Sequence, residues 1–267
     1  MTIRLDRVLG LFYRYVFIYM RGSFRMLDVV FWPMMDLLVW GYVSVYFVGL
    51  GGNGVKAGAI TFLVGAIILF NVLYRSQQAV TISLLEDLWS RNLLNIFVAP
   101  ITVAEYVCAT YMVGLAQVAF VSVSTSIAAF LLYKFSILSL GVLIVPLFVN
   151  LIVMGWTLGL LACGLILRFG HQAEALCWVI PFLIQPFSAV FYPVSVLPIW
   201  LQPISRMIPA SHVFEGMRSI LKGNTDVGGE LLWASGLNLF YWVFVGAFYA
   251  LMLQEARKRG SLAKLVT

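Results

Sequence analysis

Residues 137–167 read ILSLGVLIVPLFVNLIVMGWTLGLLACGLIL, with no charged residue anywhere in the run. A helix needs about 20 mostly apolar residues to cross bilayer hydrocarbon. Working outward from this stretch, further apolar windows lie at 29–50, 59–80, 104–133, 174–193 and 231–253. The expected fold class is therefore all-α: a polytopic membrane protein with six transmembrane helices. Composition agrees. Of 267 residues, 62% are hydrophobic and 10% charged, where soluble proteins carry about 25% charged residues. The mean hydropathy is +0.98. A soluble domain needs a polar outer face and cannot hide so much apolar surface. Disorder, fibrous repeats and an ordinary soluble enzyme are excluded.

The formal charge of +6 is scattered rather than gathered into a basic domain, so no nucleic-acid partner is expected. Six spans place both termini on one side. With the termini cytoplasmic, twelve Lys and Arg residues fall inside and five outside, the asymmetry that favours that orientation. The first 25 residues carry five arginines and no short apolar core, so they do not read as a secretory signal. No linker or internal repeat divides the chain. It reads as a single domain over 1–267: an interface helix at 1–28, six spans within 29–253, and a cytoplasmic tail at 254–267. Residues 49–58, with four glycines, read as a short external loop.

Three segments are not ordinary spans. In residues 4–25, Arg4, Arg7, Arg14, Arg21 and Arg25 fall within about 100° of one helix face, with Leu5, Val8, Phe12, Tyr15, Val16 and Tyr19 on another. This predicts an amphipathic helix in the cytoplasmic interface, its guanidinium groups toward lipid phosphates and water, with Gly22 available as a bend. Residues 83–100, SLLEDLWSRNLLNIFVAP, predict one helix opened by Ser83 and Glu86 as a capping box and closed by Pro100. Leu85, Trp89, Leu93 and Ile96 share its apolar stripe. Asp87, Arg91 and Asn95 share the opposite side, with Asp87 and Arg91 an i,i+4 pair. In residues 180–218, six prolines recur from Pro181 to Pro209. An uninterrupted helix cannot hold them. The fifth span is therefore expected to break near Phe191, Tyr192 and Pro193, followed by short external helices. Ser211 is a candidate cap for the last of these, and Glu215 and Arg218 form an exposed i,i+3 pair on it.

The chain carries no GxxxxGK[ST], HExxH, GxSxG or GxGxxG motif, so no catalytic residue, cofactor or metal site is expected. His212 and Glu215 offer two ligands, too few for a metal. Cys108, Cys163 and Cys177 read as packing residues. Charged residues inside apolar runs mark function. Asp36 is the clearest and is a candidate for the translocation path. Arg75 and Glu105 are candidates for a structural ion pair, and Glu174 lies at the inner start of the fifth span. An ion-coupled secondary transporter would favour internal repeats and paired midplane carboxylates, and an intramembrane enzyme would need clustered ionisable residues at depth. Neither pattern is visible.

The chain resembles the permeases of ABC-2 type exporters, the type V group of ABC transporters. The middle region carries the resemblance at Glu86-Asp87, Leu93-Leu94 and Ala99-Pro100-Ile101. The late region carries it at Phe191-Tyr192-Pro193, Leu197-Pro198-Ile199-Trp200-Leu201-Gln202, Pro209, Glu215 and Arg218. Ile208-Pro209-Ala210-Ser211-His212 departs from the Asn-Pro-Leu-Thr of many relatives and leaves the substrate class open. The resemblance implies a half-transporter. Two copies would form a homodimer and join two copies of a separate ABC ATPase subunit in a plasma membrane, the inner membrane of a bacterium. Glu86, Asp87, Trp89, Arg91, Leu93 and Leu94 would couple to that motor. Tyr192, Pro193, Pro198, Trp200, Pro209, Glu215 and Arg218 would form an external re-entrant gate. The exported molecule would be amphipathic: a lipid-linked glycan, a drug or a lipid-like compound.

Overall fold

In the computed structural model, residues 3–50 and 58–258 are described. Most of the glycine-rich loop expected at 49–58, and the end of the expected tail with Arg259 and Lys264, lie outside the described residues. Ten α-helices order the rest: α1 (Leu5–Arg21), α2 (Ser23–Leu50), α3 (Gly58–Trp89), α4 (Leu93–Val98), α5 (Val103–Tyr133), α6 (Ile144–Phe169), α7 (Leu176–Phe187), α8 (Gln202–Arg206), α9 (Pro209–Leu221) and α10 (Gly228–Lys258). No strand occurs among the described residues.

Five helices are long and apolar enough to cross a membrane: α2, α3, α5, α6 with its preceding turn, and α10. The expected fifth span at 174–193 is different. Its helix, α7, has 12 residues and ends at Phe187, so it rises about 18 Å, well short of the roughly 30 Å hydrocarbon core. The break comes earlier than Phe191, at Ala189, whose φ of 52° lies in the left-handed region. Beyond it the chain continues through turns, a 3-10 turn, α8 and α9.

α3 is the centre of the bundle. Of its apolar window, 72% is buried, against 22–28% for the other long helices. It packs against α2, α5, α6, α7 and α9. Two apolar clusters divide the interior. One gathers α1, Leu84, Leu85 and Leu88 of α3, Tyr106 of α5, Ile166 of α6 and Leu253 of α10. The other gathers Val64 and Leu69 of α3, Ala129 of α5, Leu147 of α6 and Phe214 of α9. α3, α5 and α6 therefore alternate in direction between an α1 end and an α9 end, and α10, with Ala234 in the second cluster and Leu253 in the first, runs in the same direction as α6.

The α3–α6 contact rests on two glycines that the sequence reading passed over. A Cβ on Gly155 would stand 2.5 Å from the Leu73 carbonyl oxygen, and one on Gly159 would stand 2.7 Å from Val80 Cβ. Gly155 and Gly159 form a GxxxG, the spacing that lets two helix backbones approach closely in lipid.

Prolines dictate the bonds around α7. Pro181 stands four residues after Cys177 and has no N–H to give its carbonyl. The side-chain amides of Gln77 and Gln78 donate to that oxygen instead, at 3.1 and 3.0 Å. Pro186 likewise leaves α7 poorly able to continue. Its own carbonyl accepts from the Tyr192 hydroxyl at 2.7 Å.

Two stability outcomes follow. Gly155→Ala forces backbone to move and is expected to cost about 1–3 kcal/mol. Gly246→Ala, with open space around it, is expected to be neutral or better. In the second, Gln77→Leu with Gln78→Leu strands a buried carbonyl and costs about 1–3 kcal/mol, and adding Pro181→Ala restores part of it by returning an N–H. Melting curves in detergent, read by size-exclusion fluorescence, check both. Equal melting of the Gly155 and Gly246 variants, or no rescue by Pro181→Ala, would refute the packing and carbonyl assignments respectively.

Candidate functional site

At the α1 end, the junction of α1, α3 and α5 is built around Asp87. Its carboxylate has no exposed surface. It accepts from Arg14 Nη2 at 2.7 Å, Tyr15 Oη at 2.5 Å and Tyr106 Oη at 3.0 Å. A buried carboxylate is held only if paired and hydrogen-bonded, and these three donors meet that need. Burial, with the carboxylate beside it, pushes the Tyr15 hydroxyl well above its usual range, so it remains a donor. Neighbouring contacts repeat the pattern. Glu86 pairs with Arg25 at 3.0 Å. Glu105 lies 3.7 Å from Arg7 and accepts from the Arg4 backbone N–H at 2.9 Å.

This corrects several expectations. Residues 83–100 are not one helix. Ser83 lies inside α3 and donates to the Ala79 carbonyl. α3 runs on to Trp89, and a turn with Arg91 at φ 53° separates it from α4. The capping box is formed by Thr102 and Glu105 at the start of α5. Asp87 meets α1 rather than Arg91, because the turn takes Arg91 out of register. Leu93 is buried, while Trp89 and Arg91 are exposed. The side chain of Leu94 lies outside the described set. Of the α1 arginines, Arg7 and Arg14 face carboxylates of the bundle, and Arg4 pairs with Asp6 at 2.8 Å. Arg21 is exposed. α1 ends at Arg21, and Gly22 adopts an extended conformation, the expected bend. Arg25 therefore belongs to α2.

Arg75 and Glu105 do not pair. Arg75 donates to the Asp28 carbonyl at 3.1 Å and lies 4.0 Å from its carboxylate. Trp89 Nε1 donates to Glu174 at 3.3 Å, and Glu174 also meets His171. Asp36 is exposed on α2.

At the α9 end, Arg218 and Glu215 hold the broken segment. The Arg218 guanidinium donates to the carbonyls of Ala189, Val190 and Tyr192, the last at 2.7 Å. Glu215 lies 3.1 Å from it and accepts from the Val194 N–H at 2.7 Å. Phe191 stacks on Trp40 of α2 at 5.0 Å. The pair is therefore not exposed as expected: the Arg218 side chain is 7% accessible. Pro193 precedes a short 3-10 turn (Val194–Val196), and Pro198 and Trp200 lie on an exposed tip. Pro209 opens α9 and is buried. Ser211 does not cap it, because its hydroxyl donates to Ser205 and Ile208 carbonyls. His212 and Glu215 diverge: His212 bonds Glu230 at 2.6 Å and the Arg206 carbonyl at 2.8 Å. Among the described residues no group of three metal-ligating side chains forms.

Sequence spacing missed Tyr15 and Tyr106 as Asp87 partners, and it missed Gln77 and Gln78. The adjacent pair of glutamines inside an apolar span was the available signal for the second pair. The first had none, because its partners lie far apart in sequence.

The family profile described as ABC-2 family transporter protein matches residues 43–253. No curated protein matches the chain.

The buried pair at the α9 end sets a stability order. Arg218→Leu leaves three carbonyls without their donor and is expected to cost about 3 kcal/mol or more. Glu215→Gln keeps an acceptor for Val194 and costs less. Melting temperature, with protease cleavage mapped over 188–208, checks this; a wild-type profile for Arg218→Leu would show that the clamp does not hold the segment.

Proposed function

This chain belongs to the ABC-2 transporter family, as a membrane permease of an ABC transporter, and we propose that it is the membrane half of an ATP-driven exporter for an amphipathic substrate. Two copies pair with each other and with two copies of a separate ATPase subunit. The family match across 43–253 carries this reading. The absence of a GxxxxGK[ST] phosphate loop from the sequence supports a motor on another chain. Both termini face the cytoplasm in this reading, supported by the Lys and Arg asymmetry, and the membrane is a bacterial inner membrane.

The α1 end is the motor-facing end. Its exposed surface at Trp89, Arg91, Asn95 and Val98 is the candidate docking patch. It joins an aromatic and an arginine, the residue types enriched at interface hot spots, with an apolar residue 86% exposed. Glu86 and Asp87 act behind that patch, transmitting its position to α1 through Arg14 and Tyr15 and to α2 through Arg25, rather than touching the motor. Leu93 packs the patch onto the bundle. α1 follows the patch because Asp87 binds it.

The α9 end is the external gate in this reading. Its exposed tip at Pro198, Ile199 and Trp200 rides on the Arg218 and Glu215 clamp. Asp36 supports the homodimer. An ionisable side chain within a span is costly against acyl chains, and Asp36 is exposed on the single chain. A second copy, or a water-filled path between copies, removes that cost.

The test is coexpression with the cognate ATPase. The assembly is expected to hydrolyse ATP, and the permease alone to hydrolyse none. Arg91→Glu with Val98→Asp is expected to abolish copurification of the motor or cut its turnover at least about tenfold, leaving the permease monodisperse, since both positions are exposed and charge reversal at an interface acts on partner recognition. Unchanged turnover and copurification would move the docking patch elsewhere. Asp87→Asn keeps an acceptor but loses the charge facing Arg14, and is expected to lower turnover with less effect on copurification.

A further inference from the structure

Two adjoining cavities of different character lie at the α1 end, the first with polar groups among its walls and the second almost wholly apolar. The first, of about 330 Å³, is lined by α1, α2, α3, α5 and α7, with Arg75, Gln78 and Glu86 among its polar walls and Tyr19, Trp89 and Trp178 among its aromatic ones. The second, of about 210 Å³, runs between α1, α2 and α5 and is walled by Val16, Met20, Met26, Val113 and Phe120. Tyr19, Val29 and Gln117 line both. The pair is thus one chamber of mixed walls, carrying a buried arginine, beside an apolar crevice.

Arg75 sets the chemistry of the chamber. It stands within the α3 span and its side chain is 4% accessible. Its Nε has no hydrogen-bond partner. One Nη donates to the Asp28 carbonyl, and the nearest carboxylate oxygen is 4.0 Å away, on an Asp28 side chain that is largely exposed. The chamber's other carboxylate, Glu86, is engaged by Arg25. The unmet need is therefore for an acceptor, next to a buried positive charge. A guanidinium in that state favours an anionic oxygen, and its planar fork suits phosphate. The chamber's size falls at the lower end of small-molecule sites. The crevice beside it offers only apolar walls apart from Tyr19 and Gln117, the complement of a hydrocarbon chain.

We infer that the two cavities form one site for a phosphate-bearing amphiphile, its phosphate on Arg75 and its chain in the crevice between α1, α2 and α5. The aromatic walls face whatever group the phosphate carries. Reading the bound molecule as cargo rests on the exporter proposal above; a bilayer phospholipid held there would use the same chemistry.

The full chain, purified in maltoside detergent, is titrated with dodecyl phosphate, dodecanol and inorganic phosphate, with binding read by tryptophan fluorescence and native mass spectrometry. Dodecyl phosphate is expected to bind more tightly than either fragment. Arg75→Gln is expected to weaken it about tenfold or more, with part of the loss recovered by Arg75→Lys. Ala116→Phe, which fills the crevice, is expected to weaken dodecyl phosphate but not inorganic phosphate. Equal binding of dodecyl phosphate and dodecanol, or unchanged affinity in Arg75→Gln, overturns the inference. Should Arg75→Gln fail to fold, unchanged affinity in Ala116→Phe overturns it alone. In proteoliposomes with the motor, ATP-driven loss of a labelled phosphate lipid from the inner leaflet identifies cargo, and occupancy unmoved by ATP identifies a resident lipid; either supports the site. ATP turnover measured in the same vesicles separates the two readings, because turnover without any phosphate-lipid binding defeats this inference and leaves the exporter proposal standing.

Discussion

The carbonyl of Cys177 has lost its helical donor to Pro181, and the residue is fully buried, with no solvent contact to replace that donor. The packing of α3 against α7 answers that constraint. An unsatisfied backbone group buried away from water costs several kcal/mol, so a broken helix persists only beside a neighbour that supplies donors. α3 supplies them near the α1 end through Gln77 and Gln78. Near the α9 end, α9 supplies them through Arg218, which serves three carbonyls of the break together. The prolines that shorten α7 therefore dictate polar residues on two other helices. α3 can meet that need for α7 while also packing against α2, α5, α6 and α9, because it sits at the centre of the bundle. Gly155 and Gly159 then let α6 close on its remaining side.

Charge obeys the same rule at the opposite scale of cost. Asp87 is buried with a full set of donors, which converts a liability into an anchor for α1. Removing one partner of such a set is worse than replacing the whole set with apolar groups. The junction thus has two acceptable states, intact or rebuilt, and few in between. The amphipathic helix is held to the bundle by defined bonds rather than floating in the interface by its apolar face alone.

Hydropathy made the long helices legible because each window of apolar residues carries its own evidence. Pro spacing did the same for the interruption after α7, and Gly22 for the bend after α1. Boundaries and partners were less legible. The S-x-x-E at 83–86 matched a helix start, yet the α3 hydrogen-bond ladder passes through Ser83 unbroken, and the hydroxyl simply bonds back to Ala79. The T-x-x-E at 102–105 carried the same signature and is the one used. Spacing paired Asp87 with Arg91, but Arg91 sits in a left-handed turn, and the partners chosen, Arg14 and Tyr15, lie more than 70 positions away. Such pairings depend on how helices pack, which local periodicity does not encode. Glu215 and Arg218 were found by spacing, but their burial depended on the segment that folds over them.

α3 runs from Gly58 to Trp89 without a proline, a rod of about 48 Å at 1.5 Å per residue, whereas α2 carries Pro33 within its length. Asp87 lies close to one tip of this rod. Near the other, Phe62 presents its ring beneath the Arg218 guanidinium, 4.7 Å from its centroid. Both junctions are thus fastened to a single stiff member. A displacement applied at one tip would reach the other as axial travel of that member, with no loop or chain of rotamer changes in between. α2, whose Pro33 removes one bond from its ladder, lacks that unbroken backbone, while α3 has the form of a strut.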